Sequence, residues 1–144
     1  MNSTDYEKLV KEKAPVSTLV FDVVKAFIVG GAICLAGEAL MTVFELFMEP
    51  DTASLLTSVS LVFSGALLTG IGVYDKIGKF AGAGSLVPIT GFANSITASA
   101  MEYKPEGFVL GTAAKMFLIA GPVIVYGTVA SVGYGVVYWV TTIL

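Results

Sequence analysis

Long stretches without a charged residue constrain this chain more than any other feature. Residues 52–74 carry no charge over 23 positions, and residues 108–144 carry a single one, Lys115. A hydrocarbon core about 30 Å thick is crossed by about 20 apolar helical residues. The pattern therefore predicts an all-α, polytopic membrane protein with transmembrane helices at 26–48 and 53–74.

The composition narrows the class of protein further. Of the 144 residues, 56% are hydrophobic and only 13% are charged, whereas about a quarter of a soluble domain is charged. All eight cations are lysines and the isoelectric point is about 4.8, so no nucleic-acid partner is expected. With no histidine and one cysteine, neither a zinc site nor a disulfide framework is expected, and we predict no metal and no cofactor.

The N-terminal region differs from the rest because it carries eight charges of both signs within 25 residues. Such a run is too long and too acidic for a signal peptide. We predict an amphipathic cytoplasmic segment at 1–25, ahead of a transmembrane domain at 26–144. Four lysines precede the first span, two follow the second, and the connection at 49–52 has none. By the positive-inside rule, the N-terminus and a charged loop at 75–79 are cytoplasmic.

The uncharged stretch 80–101 is unlike a lipid-facing helix, since it is rich in glycine and hydroxyl residues and includes Pro88 and Asn94. Irregular backbone at membrane depth is tolerated only where protein buries it or where it lines a water-filled cavity. We predict a Gly-rich loop at 81–88 followed by a helix at 89–101, which together form a broken or re-entrant segment. The sequence leaves open whether this segment crosses the membrane.

The last apolar stretch, 108–144, would be about 55 Å long as one helix at about 1.5 Å per residue. Pro122 follows Gly121 near its middle, and proline kinks or breaks a helix. The sequence predicts either one long kinked helix that extends past the membrane or two half-spans. The chain is thus expected to have three to four hydrophobic membrane segments.

Eight residues put polar or flexible groups into the apolar stretches. If the protein transports a solute, these residues are the candidates for contact with that permeant: Gly82, Gly84, Ser85, Thr90, Asn94, Ser95, Glu38 and Lys115. The amides of the Gly-rich loop can form an anion-binding concavity, or its glycines can serve close helix packing. Asn94 and its hydroxyl neighbours can hydrate a pore, or they can form hydrogen bonds between helices.

Ionisable residues inside a membrane span usually face a bundle interior or an aqueous path. Glu38 and Glu45 are seven residues apart and share one helix face. Glu38 is interpreted as part of a polar vestibule or an interhelical contact, whereas Glu45 can simply lie at the membrane interface. Lys115 can face an anionic permeant, pair with Glu38, or extend its ammonium group to the membrane surface.

A stripe of small residues, Gly127, Ser131 and Gly135, repeats every four positions along the last stretch. Such stripes are typical of close helix approach, so we predict helix packing there, either within the chain or between subunits. No nucleophile lies beside a general base in the sequence, and no enzymatic activity is expected.

Four segments together resemble one family. FAGAGSLVPITGFANSITASAMEY at 80–103 is similar to the signature region of the SpoVA membrane proteins of endospore-forming bacteria. VKAFIVGGAICLAGEAL at 24–40, SGALLTGIGVYDKIGKF at 64–80 and KPEGFVLGTAAKMF at 104–117 extend the similarity. The pattern most resembles the AC-type members, and the related AE-type subunit shares the FAGAG-VPIT core.

The resemblance implies a role that spacing alone does not give. It implies a pore-forming channel subunit in the inner membrane of the forespore and spore, which moves dipicolinic acid with calcium during sporulation and germination. It also implies mechanosensitivity. The implied partners are the AE-type subunit and other SpoVA proteins, in a homo- or hetero-oligomer within the lipid bilayer. The alternatives are a non-conducting scaffold subunit of that complex and a secondary transporter coupled to protons through Glu38.

Overall fold

A computed structural model of the chain describes Glu7, Val10 and residues 18–143. The predicted segment at 1–25 therefore falls largely outside the described residues. The five α-helices over 18–143 are α1 (Leu19–Glu45), α2 (Pro50–Gly70), α3 (Val73–Ala81), α4 (Pro88–Glu102) and α5 (Ala114–Ile143). Two 3-10 turns (Gly82–Ser85 and Lys104–Glu106) and a π-helical turn (Phe108–Ala113) complete the regular structure of that range. The predicted all-α fold is confirmed.

Among the described residues, three helical segments are long and apolar enough to cross a membrane: Leu19–Glu45, Pro50–Gly70 and Phe108–Ile143. These confirm the predicted spans and differ from them mainly in their bounds. The first helix begins at Leu19, seven residues before the expected start, because Asp22 and Lys25 lie inside its first two turns rather than ahead of it. Asp22 lies in the first turn, where a carboxylate interacts favourably with the helix dipole.

Helices α1 and α2 form an antiparallel hairpin. Pro50 occupies the first turn of α2, where its missing N–H costs no hydrogen bond. Gly37 is buried on α1, and a Cβ there would lie 3.3 Å from Leu61 of α2. The two helices therefore approach each other closely at this level.

The charged segment 75–79 is helical, so its prediction as a loop was wrong. Helix α2 ends at Gly70, and Gly72 adopts a positive φ of 74°, which ends the span before Tyr74. Helix α3 then begins at Val73, and the Lys79 ammonium lies 2.7 Å from the Asp75 carboxylate one turn away. Such a pair supports a short exposed helix by a few tenths of a kcal/mol, about 0.3–0.5.

Residues 73–102 follow α2 and turn back on it. The chain leaves the end of α2 in α3, turns at Gly82–Ser85, and returns in α4 beside the end of α2. Helix α4 runs parallel to α2, because Gly65 abuts Thr90 and, four residues further along both helices, Thr69 contacts Asn94. Since α4 begins only at Pro88, it lies beside the last part of α2 and not along its whole length. We call residues 73–102 the re-entrant segment, because α4 returns beside the end of α2.

Helix α5 continues without interruption through Pro122, so the last stretch is one long helix and not two half-spans. Its start packs on α4, where the Thr112 hydroxyl donates a hydrogen bond to the Ala100 carbonyl at 3.4 Å. From Pro122 to Ile143 every residue is exposed. The distal part of α5 thus has no packing partner among the described residues.

Candidate functional site

The re-entrant segment is held together by a buried tyrosine. Tyr74 of α3 is only 3% exposed, and its hydroxyl donates a 2.8 Å hydrogen bond to the Ser85 carbonyl in the 3-10 turn. The same oxygen lies 3.3 Å from the Thr90 hydroxyl of α4. Because the tyrosine proton is used on Ser85, the Thr90 hydroxyl is the donor in the second contact. One side chain therefore joins α3, the turn and α4.

A second polar contact joins α2 to α4. The Thr69 hydroxyl oxygen lies 2.7 Å from the Gly65 carbonyl and 2.8 Å from the Asn94 side-chain oxygen. A hydroxyl has one proton and cannot donate to both acceptors. Because the oxygen and nitrogen of an asparagine amide are interchangeable by a flip, the consistent arrangement has the Asn94 amide donating to Thr69. The Asn94 carbonyl oxygen then remains available as an acceptor.

A polar cavity of about 380 Å³ lies between the end of α2, α3 and α4. It is lined by Thr69, Tyr74, Asp75, Gly78, Ser85, Asn94, Ala98 and Met101. The cavity offers neutral hydrogen-bonding groups and the single carboxylate of Asp75, which is exposed and paired with Lys79. Such a lining suits a small polar solute held weakly by a few hydrogen bonds.

The two predicted loop glycines have structural roles. Gly82 has a φ of 53°, a conformation that residues with a side chain rarely adopt. A Cβ on Gly84 would overlap the backbone of α1, lying 2.6 Å from the Ala26 Cα and closer still to the Ala26 carbonyl oxygen. Close packing of the turn on α1 therefore explains Gly84, and neither glycine lines the polar cavity.

The predicted polar residues separate into two groups. Ser85 and Asn94 line the cavity, although Ser85 is 7% exposed and donates its hydroxyl hydrogen bond to the Gly82 carbonyl. Thr90 is buried in the contact with Tyr74. Ser95 donates to the Phe92 carbonyl of its own helix at 2.8 Å. Of these predicted polar residues, Asn94 therefore has the side chain that is most available to a solute.

The predicted ionisable residues do not meet. Glu38 is exposed on α1, and Glu45 is the last residue of that helix, at the turn into α2. The Lys115 ammonium lies 4.2 Å from the centre of the Tyr103 ring, a cation–π contact across the α4–α5 connection. No ion pair joins Glu38 to Lys115 within the described part of the chain. The stripe residues lie on the exposed distal part of α5 and pack on no other described helix: Gly127, Ser131 and Gly135.

Sequence reasoning missed Thr69, Tyr74 and Asp75, which complete the cavity. Thr69 and Tyr74 were assigned to the end of a lipid-facing span, and Asp75 to a solvated loop. Gly72 was the available signal, because a glycine close to the end of an apolar run is typical of a helix terminus. A helix end there would have turned Tyr74 back towards the protein.

These features define a class: an integral membrane protein of three α-helical spans with a re-entrant helix that carries a polar cavity. Residues 22–137 match the family model of the SpoVAC/SpoVAEB sporulation membrane proteins, and the chain belongs to that family. It is 49% identical over 135 residues to stage V sporulation protein AC of Bacillus subtilis (strain 168), covering 92% of this chain and 90% of the relative. No solved structure matches the chain. The similarity to the SpoVA family inferred from residues 80–103 is thereby confirmed.

Proposed function

We propose that the chain is a pore-forming subunit that moves dipicolinic acid, with calcium, across the inner spore membrane during sporulation and germination, and that it opens under membrane tension. The observation that carries the proposal is the polar cavity between the re-entrant segment and the end of one membrane span, α2. In this proposal the N-terminus of the chain faces the spore core. The permeation path is completed in an oligomer, either with the AE-type subunit or with further copies of this chain.

The chemistry of the cavity supports a permeant that is small and polar. Dipicolinate has two carboxylates and a ring nitrogen, so it needs hydrogen-bond donors to enter and weak enough contacts to leave. The Asn94 amide is the group most suited to this, because its nitrogen has a second proton besides the one donated to Thr69, whereas Ser85 and Tyr74 already use their protons within the segment. Calcium prefers oxygen ligands, and the Asp75 carboxylate in the same cavity supplies one for the calcium that accompanies the dianion.

Two features of the isolated chain support an oligomer. Glu38 is exposed on a helix that crosses the membrane, about 12 Å from the α1–α2 turn at 1.5 Å per residue. A carboxylate at that depth is costly next to lipid and is normally covered by protein or water. The distal part of α5, with its stripe of small residues, offers a surface for a neighbouring subunit.

The test is dipicolinate efflux from liposomes that contain the purified protein, measured with and without an osmotic downshift. We expect efflux that depends on the downshift. Asn94→Asp places a negative charge in the cavity and should slow efflux about tenfold, or about 1.4 kcal/mol, whereas the control Ser95→Ala, whose hydroxyl bonds only its own helix, should not change it. If the chain alone is inactive, the AE-type subunit is added to the same liposomes.

Three results would contradict the proposal. Folded Asn94→Asp protein with unchanged efflux would place the path elsewhere and favour a scaffold role. Absence of efflux with both subunits would do the same. Uptake that follows a pH gradient and is abolished by Glu38→Gln would identify a proton-coupled transporter instead.

The tension response has its own test. We propose that the amphipathic N-terminal residues lie in the membrane interface and sense tension. Deleting residues 1–14 should then raise or abolish the downshift threshold for efflux. An unchanged threshold would assign the sensing of tension to another part of the protein.

A further inference from the structure

A second, mainly apolar groove lies between α1, α2 and α3, and Tyr74 separates it from the polar cavity. It has a volume of about 650 Å³. Aliphatic side chains form most of its walls, among them Ile28, Ile33, Leu40, Leu61, Leu68 and Ile77. Because two of its three walls are membrane spans, the groove opens where the surroundings are lipid.

The groove has a polar end and an apolar end. Lys76 and Phe80 of α3 line it near the start of α1, whereas Leu40 and Leu61 line it towards the α1–α2 turn. From Ile28 to Leu40 it follows α1 for about 18 Å at 1.5 Å per residue. A positive charge at the membrane surface followed by an apolar trough towards the midplane matches the order of groups in a phospholipid.

The charge of Lys76 is available for a ligand. The neighbouring Asp75 carboxylate is already paired with Lys79, and Lys76 has no ion-pair partner in the part of the chain that the structure describes. Lys25 lies near the same end, with its ammonium 5.5 Å from the centre of the Phe80 ring. Its charge is offset by the Asp22 carboxylate at 3.9 Å, so Lys76 is the main cation there. Basic pockets between membrane helices on the cytoplasmic side are typical sites for anionic lipid head groups.

We propose that this groove binds one phospholipid with an anionic head group, its acyl chain lying between α1 and α2 and its phosphate facing Lys76. The binding does not depend on the proposed channel activity, because it rests on a different cavity. The lipid would fill the space between the two spans and connect α3 to the membrane surface.

The test uses native mass spectrometry of the full chain, stripped of lipid in detergent and titrated with phosphatidylglycerol or phosphatidylcholine. We expect one phosphatidylglycerol to bind about fivefold more tightly than phosphatidylcholine, as one lysine near anionic lipid contributes about 1 kcal/mol. Lys76→Gln should remove this preference. The matched control Lys104→Gln removes an exposed lysine outside the groove and should leave it unchanged.

A second pair of variants tests the apolar part of the groove. Ala32 lines the groove, so Ala32→Phe should fill it and prevent retention of the lipid. Ala39 is exposed on the same helix outside the groove, and Ala39→Phe should retain the lipid. Equal lipid preference in Lys76→Gln and the unaltered chain would overturn the proposal. So would an Ala32→Phe protein that keeps its lipid but changes its oligomeric state, because a second copy would then cover the groove.

Discussion

The re-entrant segment 73–102 and the distal part of α5 at 122–143 have similar residues in different surroundings. Those of the re-entrant segment form contacts within the chain, whereas those of distal α5 are exposed. Both are rich in glycine and hydroxyl residues. In the re-entrant segment, Gly84 brings two backbones together, and hydroxyl groups join α2, α3 and α4. In the distal part of α5, a Cβ added at Gly127 or Gly135 would meet nothing within 4 Å.

This difference shows that a small residue in a membrane protein has no fixed role. A glycine that contacts a neighbouring backbone is required by the fold of its own chain. A glycine that faces open space is instead available for a contact with another subunit. The two cases are separated by tertiary contacts rather than by composition. Substitutions that probe each region separately therefore distinguish folding from assembly.

The largest expected effect is at Gly84. Gly84→Ala places a methyl group 2.6 Å from the Ala26 Cα, and both partners are backbone, so the turn has to move away from α1. Overpacking of this kind typically costs about 1–3 kcal/mol. We expect a clear loss of thermal stability in detergent, whereas Gly31→Ala, where nothing lies within 4 Å, should be neutral or stabilising. Equal stability of the two variants would show that the turn does not pack on α1.

Tyr74→Phe should have the next largest effect. It removes the hydroxyl that donates to the Ser85 carbonyl and leaves that buried acceptor without its partner. Such a loss costs about 1–3 kcal/mol, so thermal unfolding should begin at a lower temperature. The control Tyr126→Phe alters an exposed tyrosine of α5 and should have little effect. If both variants unfold alike, the tyrosine is not what holds the segment.

Lys115→Met should have a smaller effect. It removes the cation from the Tyr103 ring but keeps most of the aliphatic side chain, and such contacts contribute about 0.5–2 kcal/mol. We expect faster proteolysis of the α4–α5 connection at 103–107 in detergent. Lys115→Arg, which restores a cation over the ring, should return cleavage to its original rate. A rate that stays high in the arginine variant would argue against the cation–π contact.

Gly127→Leu should have the smallest effect on the chain's own stability, within about 0.5 kcal/mol, as expected for a site without neighbours. Its effect on assembly should be large, because the stripe of small residues would be blocked. Gly133 is also unobstructed but lies off the stripe, so Gly133→Leu should preserve cross-linked oligomers that Gly127→Leu loses. Loss of oligomers in both variants would assign the surface to the whole helix and not to the stripe.

The sequence was sufficient to predict the membrane class, the first two spans and the broken character of 80–101, because these depend on local polarity and on proline and glycine. It did not predict the parallel course of α2 and α4, which depends on contacts such as Thr69 with Asn94, 25 residues apart. It also left permeant contact and close packing both open for Gly82 and Gly84, whose backbone angle and packing explain them. The pattern of residues indicates whether a segment lies in lipid or in water. It does not identify the helix against which that segment packs.

The length of the last helix has a further consequence. Phe108–Ile143 comprises 36 residues, or about 54 Å, against a hydrocarbon core of about 30 Å. A rod of that length matches the bilayer by leaning over or by projecting from it. Its packed end is fixed at Gly111, where a Cβ would collide with the Tyr103 carbonyl, and residues 122–143 pack on no other described helix. Any lean that accommodates the excess length therefore pivots at the base of the helix, next to the end of α4.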